Sequence, residues 1–276
     1  MSKKHAVLAV LLWSTVASAF KLSLRHLTPF QLLFYALLTS LIVLGLPHSC
    51  EFSSRKENLR SAYLGFLIVL YYLLLFSAYD RLPAQEAQAL NYTWPLILVL
   101  LSIPLLGRRV RLRTIAGLSL GFFGAFIVAT KGDLTDLNFS DPIGVALGLG
   151  SAVIWATYWL LNLRDERPPV EKTFWNFLFG FIYILSVLAL SGGLAVPPIE
   201  GLIGAVYVGL FEMGVTFLLW YRAIEDDMKF ASNLAYLVPF LSLLFISALT
   251  GERIAPSTVV GLVLIVLGIM FGRSER

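Results

Sequence analysis

The sequence predicts an all-α, polytopic membrane protein with ten transmembrane helices, and three observations support that prediction. First, 58% of the 276 residues are hydrophobic and the mean hydropathy is +0.81, well above the values of an ordinary soluble domain. Second, apolar runs of membrane-spanning length follow one another along the whole chain. Third, the second half of the chain repeats the first. The longest polar connections, 48–60 and 131–141, are too short to fold alone, which excludes a separate soluble catalytic domain.

Ten apolar runs are each close to the roughly 17 to 25 residues that a helix needs to cross the hydrocarbon core. They are 6–24, 27–47, 61–79, 87–107, 114–130, 142–163, 173–199, 201–221, 230–251 and 254–272. The first run follows a basic start and contains an Ala-x-Ala triplet, as a signal peptide does. We interpret it as the first membrane helix instead, because its apolar stretch continues to Leu24 and its motif recurs later in the chain.

The basic residues indicate the orientation of the chain. If the helices alternate from a cytoplasmic N-terminus, sixteen lysines and arginines fall on the cytoplasmic side and five on the outer side. This bias obeys the positive-inside rule, so both termini are predicted to be cytoplasmic in a bacterial inner membrane. The net charge of +4 therefore needs no nucleic-acid partner, and the lipid bilayer is the expected surrounding.

The repeat appears when the chain is shifted along itself by 144 residues. Without gaps, this shift matches Tyr92 with Tyr236 and Pro95 with Pro239, and the register continues to Gly124 and Gly268. We therefore predict a first repeat at 1–131, an external linker at 132–141 and a second repeat at 142–276. Because five helices are an odd number, the second repeat must enter the membrane inverted, an architecture typical of transporters.

Two prolines occupy matching positions in the fourth and ninth runs, in the stretches "NYTWP" and "AYLVP". A proline inside a helix removes one backbone hydrogen bond and clashes with the preceding turn, so each helix is expected to bend there. The symmetry favours a shared hinge or gate at Pro95 and Pro239. The alternative is the general frequency of proline in membrane helices.

Polar-tipped aromatic residues lie at depth in several runs. The fourth run contains Tyr92 and Trp94 next to Asn91. The others are Tyr71 and Tyr72 in the third run and Trp155 and Tyr158 in the sixth. Buried polar groups need partners, so this set predicts a hydrated cavity lined by indole and phenol rings. Packing of the rings between helices is the alternative for any single residue.

Glu212 is the carboxylate placed well inside an apolar run, and such residues are functional candidates by default. It could be protonated, bind a substrate amino group or couple transport to protons, or it could only bond a neighbouring helix. The single cysteine and three histidines form no disulfide framework or metal-ligand cluster, so neither a metal nor another cofactor is expected. No pair of carboxylates or nucleotide-binding loop indicates chemistry, so the protein is not predicted to be an enzyme.

The motifs "LLWST" and "VIWATYW", at matching places in the two halves, together with the proline-bearing runs, resemble the drug/metabolite transporter superfamily, EamA type. "NYTWP" is similar to the "NYLWP" stretch of bacterial aromatic amino acid exporters of that superfamily. The resemblance implies a basket of helices around a central cavity formed by runs one, three, four, six, eight and nine. The implied cavity residues are Trp13, Tyr92, Trp94, Pro95 and Trp155, with Tyr236 and Pro239 added by the repeat. Two features of this sequence depart from the family pattern: the segment around Glu212, and the lack of an arginine in the second run.

The sequence thus predicts an inner-membrane exporter of amino acids, aromatic or otherwise neutral, that works by alternating access. Transport would run downhill or on an ion gradient, because no ATP-binding motif is present. The competing prediction is a broad-specificity drug, cation or metabolite exporter with proton exchange at Glu212. A passive channel would need a continuous polar path. The oligomeric state is left open, and a monomer would suffice.

Overall fold

The computed structural model describes residues 3–45, 54–106, 112–133 and 141–272, and these residues form helices and no strand. In chain order the helices are α1 (Lys4–Ser23), α2 (Pro29–Gly45), α3 (Arg55–Arg81), α4 (Ala84–Asn91), α5 (Trp94–Leu106), α6 (Leu112–Ala129), α7 (Pro142–Asn162), α8 (Pro169–Ser191), α9 (Ile199–Val208), α10 (Val215–Leu234), α11 (Val238–Thr250) and α12 (Pro256–Gly272). Residues 134–140 of the predicted linker, and 107–111 of the arginine-rich link between α5 and α6, lie outside the described residues.

The helices are those of a multi-pass membrane protein. Seven helical segments within the described chain are long and apolar enough to cross a membrane, and three shorter apolar ones accompany them. The shorter segments are Pro29–Gly45, Ala235–Thr250 and Pro256–Phe271. The predicted all-α membrane class is thereby confirmed. The crossing of the bilayer by all ten segments and the cytoplasmic position of the termini remain predictions.

Helix starts follow from local sequence. Ser54 and Glu57 form a capping box before α3, in which the Ser54 hydroxyl accepts from the Glu57 N–H and the Glu57 carboxylate accepts from the Ser54 N–H. Asp141 caps α7 by accepting from the N–H of Gly144, with Pro142 in the first turn. Short polar residues therefore mark where these helices begin.

Three irregular segments interrupt the apolar helices. Tyr92 and Thr93 separate α4 from α5, a π-helix at Gly209–Gly214 joins α9 to α10, and a 3₁₀ turn at Ala235–Leu237 precedes α11. A further kink at Asp227, with φ −160° and ψ 89°, divides α10. The π-helix lies between two helical stretches that together reach membrane-spanning length.

The two repeat-related prolines lie at helix starts. Pro95 is the second residue of α5, and Pro239 is the second residue of α11. The expected bend inside a continuous helix is therefore replaced by a break just before each proline. A first-turn proline loses no intrahelical bond, because its missing N–H would be unpaired there anyway.

Helices α6 and α12 pack along a seam of glycines. A Cβ atom added to Gly124 would lie 2.5 Å from the carbonyl oxygen of Gly261, and one added to Gly268 would lie 2.5 Å from that of Gly117. Only glycine allows backbones to approach so closely. Away from this pair, α3 packs on α7 and α8, and α1 packs on α10 and α11.

One end of the bundle is joined by hydrogen bonds between the start of α4 and the segment that precedes α12. The Glu252 carboxylate accepts from the N–H of Ala84 at 2.8 Å and of Gln85 at 3.4 Å. The Gln85 amide donates to the carbonyl oxygen of Arg253 at 2.9 Å and accepts from the N–H of Ala255 at 2.8 Å. We call these four bonds the Gln85 contact.

The opposite end contains a buried ion pair in the connection between α7 and α8. Arg167 binds both carboxylate oxygens of Asp165, at 3.0 and 2.7 Å, and donates to the Ser61 hydroxyl of α3 at 2.6 Å. Asp165 is 3% exposed and Arg167 is 9% exposed. The pair therefore ties this connection to α3.

Candidate functional site: a central aromatic cavity

A cavity of about 240 Å³ lies in the centre of the bundle. Its walls come from α1, α3, α4, α5, α7, α10, α11, the π-helix and the 3₁₀ turn, with Ile269 added from α12. Apart from Ile269, these are the runs that the family resemblance implied. The volume lies just below the roughly 300 to 1,000 Å³ of drug-sized pockets, so the cavity suits a small molecule.

Most of the predicted site residues meet at this cavity. Those that line it are Trp13, Asn91, Tyr92, Trp94, Pro95, Trp155, Glu212 and Tyr236. Tyr72, Tyr158 and Pro239 do not line it. Tyr72 and Tyr158 are buried behind the wall, and Pro239 is buried at the start of α11.

A stack of three aromatic rings forms part of the wall. The ring of Trp155 lies 4.3 Å from that of Tyr71 and 5.2 Å from that of Tyr158, centroid to centroid, with interplanar angles of 19° and 11°. Tyr158 thus supports Trp155 from behind while the Trp155 and Tyr71 rings border the cavity. A planar, apolar substrate group can pack against these rings.

Glu212 lies in the π-helix and places its carboxyl group at the cavity wall. Its Oε1 accepts from the Tyr72 hydroxyl at 3.2 Å, and its backbone carbonyl accepts from the Trp13 indole N–H at 3.4 Å. The wider turn of a π-helix disturbs the regular pairing of carbonyl groups. The hydrogen bond from the Trp13 indole N–H to the Glu212 carbonyl oxygen therefore holds the turn of the π-helix that carries the Glu212 carboxylate.

The remaining polar groups of the wall are neutral. Among the described residues that line the cavity, Glu212 is the one carboxylate, and none is lysine, arginine or histidine. Asn91 is held in place by α7, because its amide donates to the Ser151 hydroxyl at 2.9 Å. The site can therefore bind a positive group ionically, whereas a negative group must rely on neutral donors.

The sequence analysis missed several lining residues. Phe217 and Trp220 of α10 pack against Trp13, with ring centroids 6.0 and 5.1 Å away. Gln88 and Trp159 also line the cavity, and the Gln88 Oε1 and the Trp159 indole nitrogen are buried with no hydrogen-bond partner in the described structure. The spacing of Gln88 from Asn91 and Pro95, three and seven residues, was the available signal for Gln88.

In the part of the chain that the structure describes, no group of three or more His, Cys, Asp or Glu residues could hold a metal ion. What the cavity offers is an apolar, aromatic surface, one carboxylate and a few neutral hydrogen-bonding groups. This arrangement is suited to reversible binding of a small amphipathic molecule.

Known proteins resemble this chain over most of its length. It is 28% identical to the aromatic amino acid exporter YddG of Ancylobacter novellus over 268 residues, which cover 89% of each chain. It is also 28% identical to a probable terminal-alkyne amino-acid exporter of Streptantibioticus cattleyicolor over 205 residues, 72% of this chain and 67% of the relative. A solved crystal structure matches with a TM-score of 0.66 and 25% identity, covering 98% of this chain and 95% of the other.

A family match extends through both halves of the chain. The EamA-like transporter family matches residues 5–130 and, separately, residues 142–272. Together these two stretches include almost all of the helices described above, and the protein is a member of the EamA-like transporter family.

Proposed function

We propose that the protein exports amino acids, aromatic or otherwise neutral, across the bacterial inner membrane by alternating access through the central cavity. The observation that carries the proposal is the combination of stacked rings and one carboxylate in a cavity of about 240 Å³. Two relatives, an aromatic amino acid exporter and a probable terminal-alkyne amino-acid exporter, support the substrate class. Transport is proposed to run downhill or on an ion gradient.

The proposed architecture is two inverted five-helix repeats, 1–131 and 142–276, with both termini cytoplasmic. The separate family matches to the two halves support the duplication. The breaks before Pro95 and Pro239 support it too, since they occur 144 residues apart. Discontinuous helices that border a site at the repeat interface are typical of transporters.

The residues have distinct proposed roles. Trp155 and Trp94 pack against the apolar part of the substrate, Glu212 binds its ammonium group, and Asn91 and Tyr92 provide neutral hydrogen bonds. The breaks next to the prolines let the half-helices tilt, which closes one side of the cavity and opens the other. One chain contains the whole cavity, so the proposed working unit is a monomer.

A second candidate is a broad-specificity exporter of drugs, organic cations or metabolites that exchanges protons at Glu212. The absence of lysine, arginine and histidine from the described cavity wall favours it, because the carboxylate of an amino acid would find no ionic partner there. Cations also bind well to the faces of aromatic rings. The two candidates differ in whether the substrate must carry a carboxylate.

Transport by purified protein in liposomes tests the proposal. Labelled phenylalanine and tryptophan are expected to exchange faster than lysine or glucose, and equal rates for all four would refute the amino acid assignment. In the proton-exchange case, a pH gradient would drive uphill movement of an organic cation, and Glu212→Gln would abolish it. Glu200→Gln is the matched control, since Glu200 is an exposed residue in the first turn of α9.

A further inference from the structure

Two glutamines of α4 differ in how their amides are used. Both amide atoms of Gln85 are hydrogen-bonded, to the carbonyl oxygen of Arg253 and the N–H of Ala255. Gln88 is 6% exposed and lines the cavity, yet its Oε1 has no partner among the described residues. A buried amide without a partner is destabilising, and it needs an explanation when it borders a binding site.

Gln88 lies on the helical face that carries the other cavity residues of this segment. Asn91 and Tyr92 follow at three and four residues, the spacing that places side chains on one face of a helix. Asn91 is already engaged with Ser151 of α7. Gln88 therefore adds a second amide to this face, one whose oxygen has no partner among the described residues.

The depth of Gln88 relative to Glu212 decides which part of a ligand it meets. Tyr72, the partner of Glu212, lies nine residues before the end of α3 at Arg81, and Gln88 lies four residues after the start of α4 at Ala84. At a rise of about 1.5 Å per residue, Gln88 lies roughly 7 to 8 Å nearer that end of the bundle than Tyr72. Gln88 is therefore roughly one and a half helical turns from the Tyr72 position along the bundle, so a ligand bound at Glu212 must extend toward that end to reach it.

We propose that Gln88 is a specificity-determining residue that hydrogen-bonds the polar ring tip of a substrate whose ammonium group binds Glu212. The preferred substrates are then aromatic amino acids whose ring carries an O–H or N–H group. The proposal rests on the amino acid export proposed above and names its substrate class more narrowly. A neutral amide suits this role because it can accept from the ring hydroxyl or indole N–H and can also donate to the hydroxyl oxygen.

A hydrogen bond of this kind is worth about 3- to 10-fold in relative affinity. Tyrosine would gain it, whereas phenylalanine would leave the Gln88 amide unpaired. The expected preference for tyrosine over phenylalanine is therefore modest, and it adds to the packing against Trp155 that both rings share.

The test is competition between tyrosine and phenylalanine for the purified protein in liposomes, with the wild type and Gln88→Leu compared. The wild type should prefer tyrosine about 3- to 10-fold, and the variant should transport both at similar rates. Continued transport of phenylalanine by the variant shows that it is folded. Gln31→Leu is the matched control: it removes an amide that lies outside the cavity wall and bonds only the nearby Thr28, so the preference should persist.

Each outcome has a defined meaning. Equal transport of the two amino acids by the wild type overturns the role of Gln88, and this comparison needs no variant to fold. A preference for tyrosine that survives in Gln88→Leu overturns it as well. If neither amino acid is transported, the aromatic substrate class of the proposed function fails, and the role of Gln88 fails with it.

Discussion

Replacing Gln85 with leucine should open the end of the bundle that the Gln85 contact closes. The Gln85 side chain contributes two of the four bonds, to the carbonyl oxygen of Arg253 and the N–H of Ala255. It is 5% exposed and lies on the α4 side of the contact, whereas its partners lie just before α12. If the two segments separate when this end opens, as alternating access requires, these bonds stabilise the closed state alone.

The magnitude follows from those two bonds. A neutral hydrogen bond contributes a net of about 0.5 to 1.5 kcal/mol, so their loss should shift the equilibrium by about 1 to 3 kcal/mol. At about 1.4 kcal/mol per factor of ten, the ratio of open to closed molecules should rise roughly 5- to 150-fold. The bonds that the backbone N–H groups of 84 and 85 make with Glu252 remain, so the closed state should stay populated.

Cysteine labelling measures this shift. Cys50 is replaced by serine, a cysteine is placed at Ala17 on the cavity wall, and a membrane-impermeant maleimide is added on the side that residue 85 faces. Labelling should be faster in Gln85→Leu than in the parent. Gln31→Leu serves as the control, because the Gln31 side chain bonds locally, accepting from the N–H and the hydroxyl of Thr28. Unchanged labelling, or equal acceleration from both sides of the membrane, would refute the reasoning.

Three further predictions concern other parts of the molecule. Trp94→Ala should lower transport while the amount of protein in the membrane stays constant; unchanged transport would assign this ring to packing. Burial raises the pKa of Asp165, but the hydrogen bonds and charge of Arg167 outweigh this effect and bring the pKa below its ordinary value. The resulting stabilisation should be complete above about pH 4 and be lost as the pH falls further. Asp165→Asn should abolish this pH dependence, and by leaving the buried Arg167 without its carboxylate it should destabilise the protein by about 3 to 5 kcal/mol at neutral pH, measured by thermal unfolding. Gly124→Val should reduce folded yield by forcing α6 away from Gly261 of α12, and a normal yield would contradict the close approach at the seam.

The fold class was predictable because a membrane imposes it. Backbone groups in the hydrocarbon core must be paired internally, so long apolar runs without charge can form only helices. The positions of the breaks were only partly predictable. Pro95 and Pro239 indicated an interruption, but the break falls at Tyr92 and Thr93 and at the 3₁₀ turn, which moves both prolines to helix starts.

Which side of a helix faces the cavity was harder to predict. Tyr72 is buried behind the wall whereas its neighbour Tyr71 lines the cavity, although both are tyrosines in the same apolar run. When a helix is apolar all round, hydrophobic periodicity cannot distinguish its faces. Gln88 was missed for a related reason, because a polar residue near the end of an apolar run is ordinary.

The π-helix had almost no signal in the sequence. Gly209 and Gly214 are its first and last residues, and its wider turn leaves no trace in composition. Its position is set by packing against α2: a Cβ atom added to Gly209 would lie 2.5 Å from the carbonyl oxygen of Ala36. The place of Glu212 inside an apolar run was visible in the sequence, whereas its hydrogen bond with Tyr72 needed the structure.

Glycine contacts in the structure follow the 144-residue shift seen in the sequence. Gly65 packs against Gly180 of α8, and Gly209, which is 144 residues after Gly65, packs against Ala36, which is 144 residues before Gly180. Reciprocal contacts of this kind are what a two-fold axis between related halves produces. The seam between α6 and α12 follows the same rule, and both observations support the proposed inverted repeat.

The polar cavity residues depart from that symmetry. The position that corresponds to Glu212 is Ile68, which is fully buried, and the one that corresponds to Asn91 is Ala235. Two states of similar energy require the halves to be alike where they pack, because each half must adopt the other's arrangement in turn. Binding has no such requirement, since a single carboxylate on one half can hold an ammonium group in both states. We therefore expect replacement of Glu212 or Asn91 to change the selectivity of transport. Replacement of a repeat-related pair is expected to change the balance between the two states.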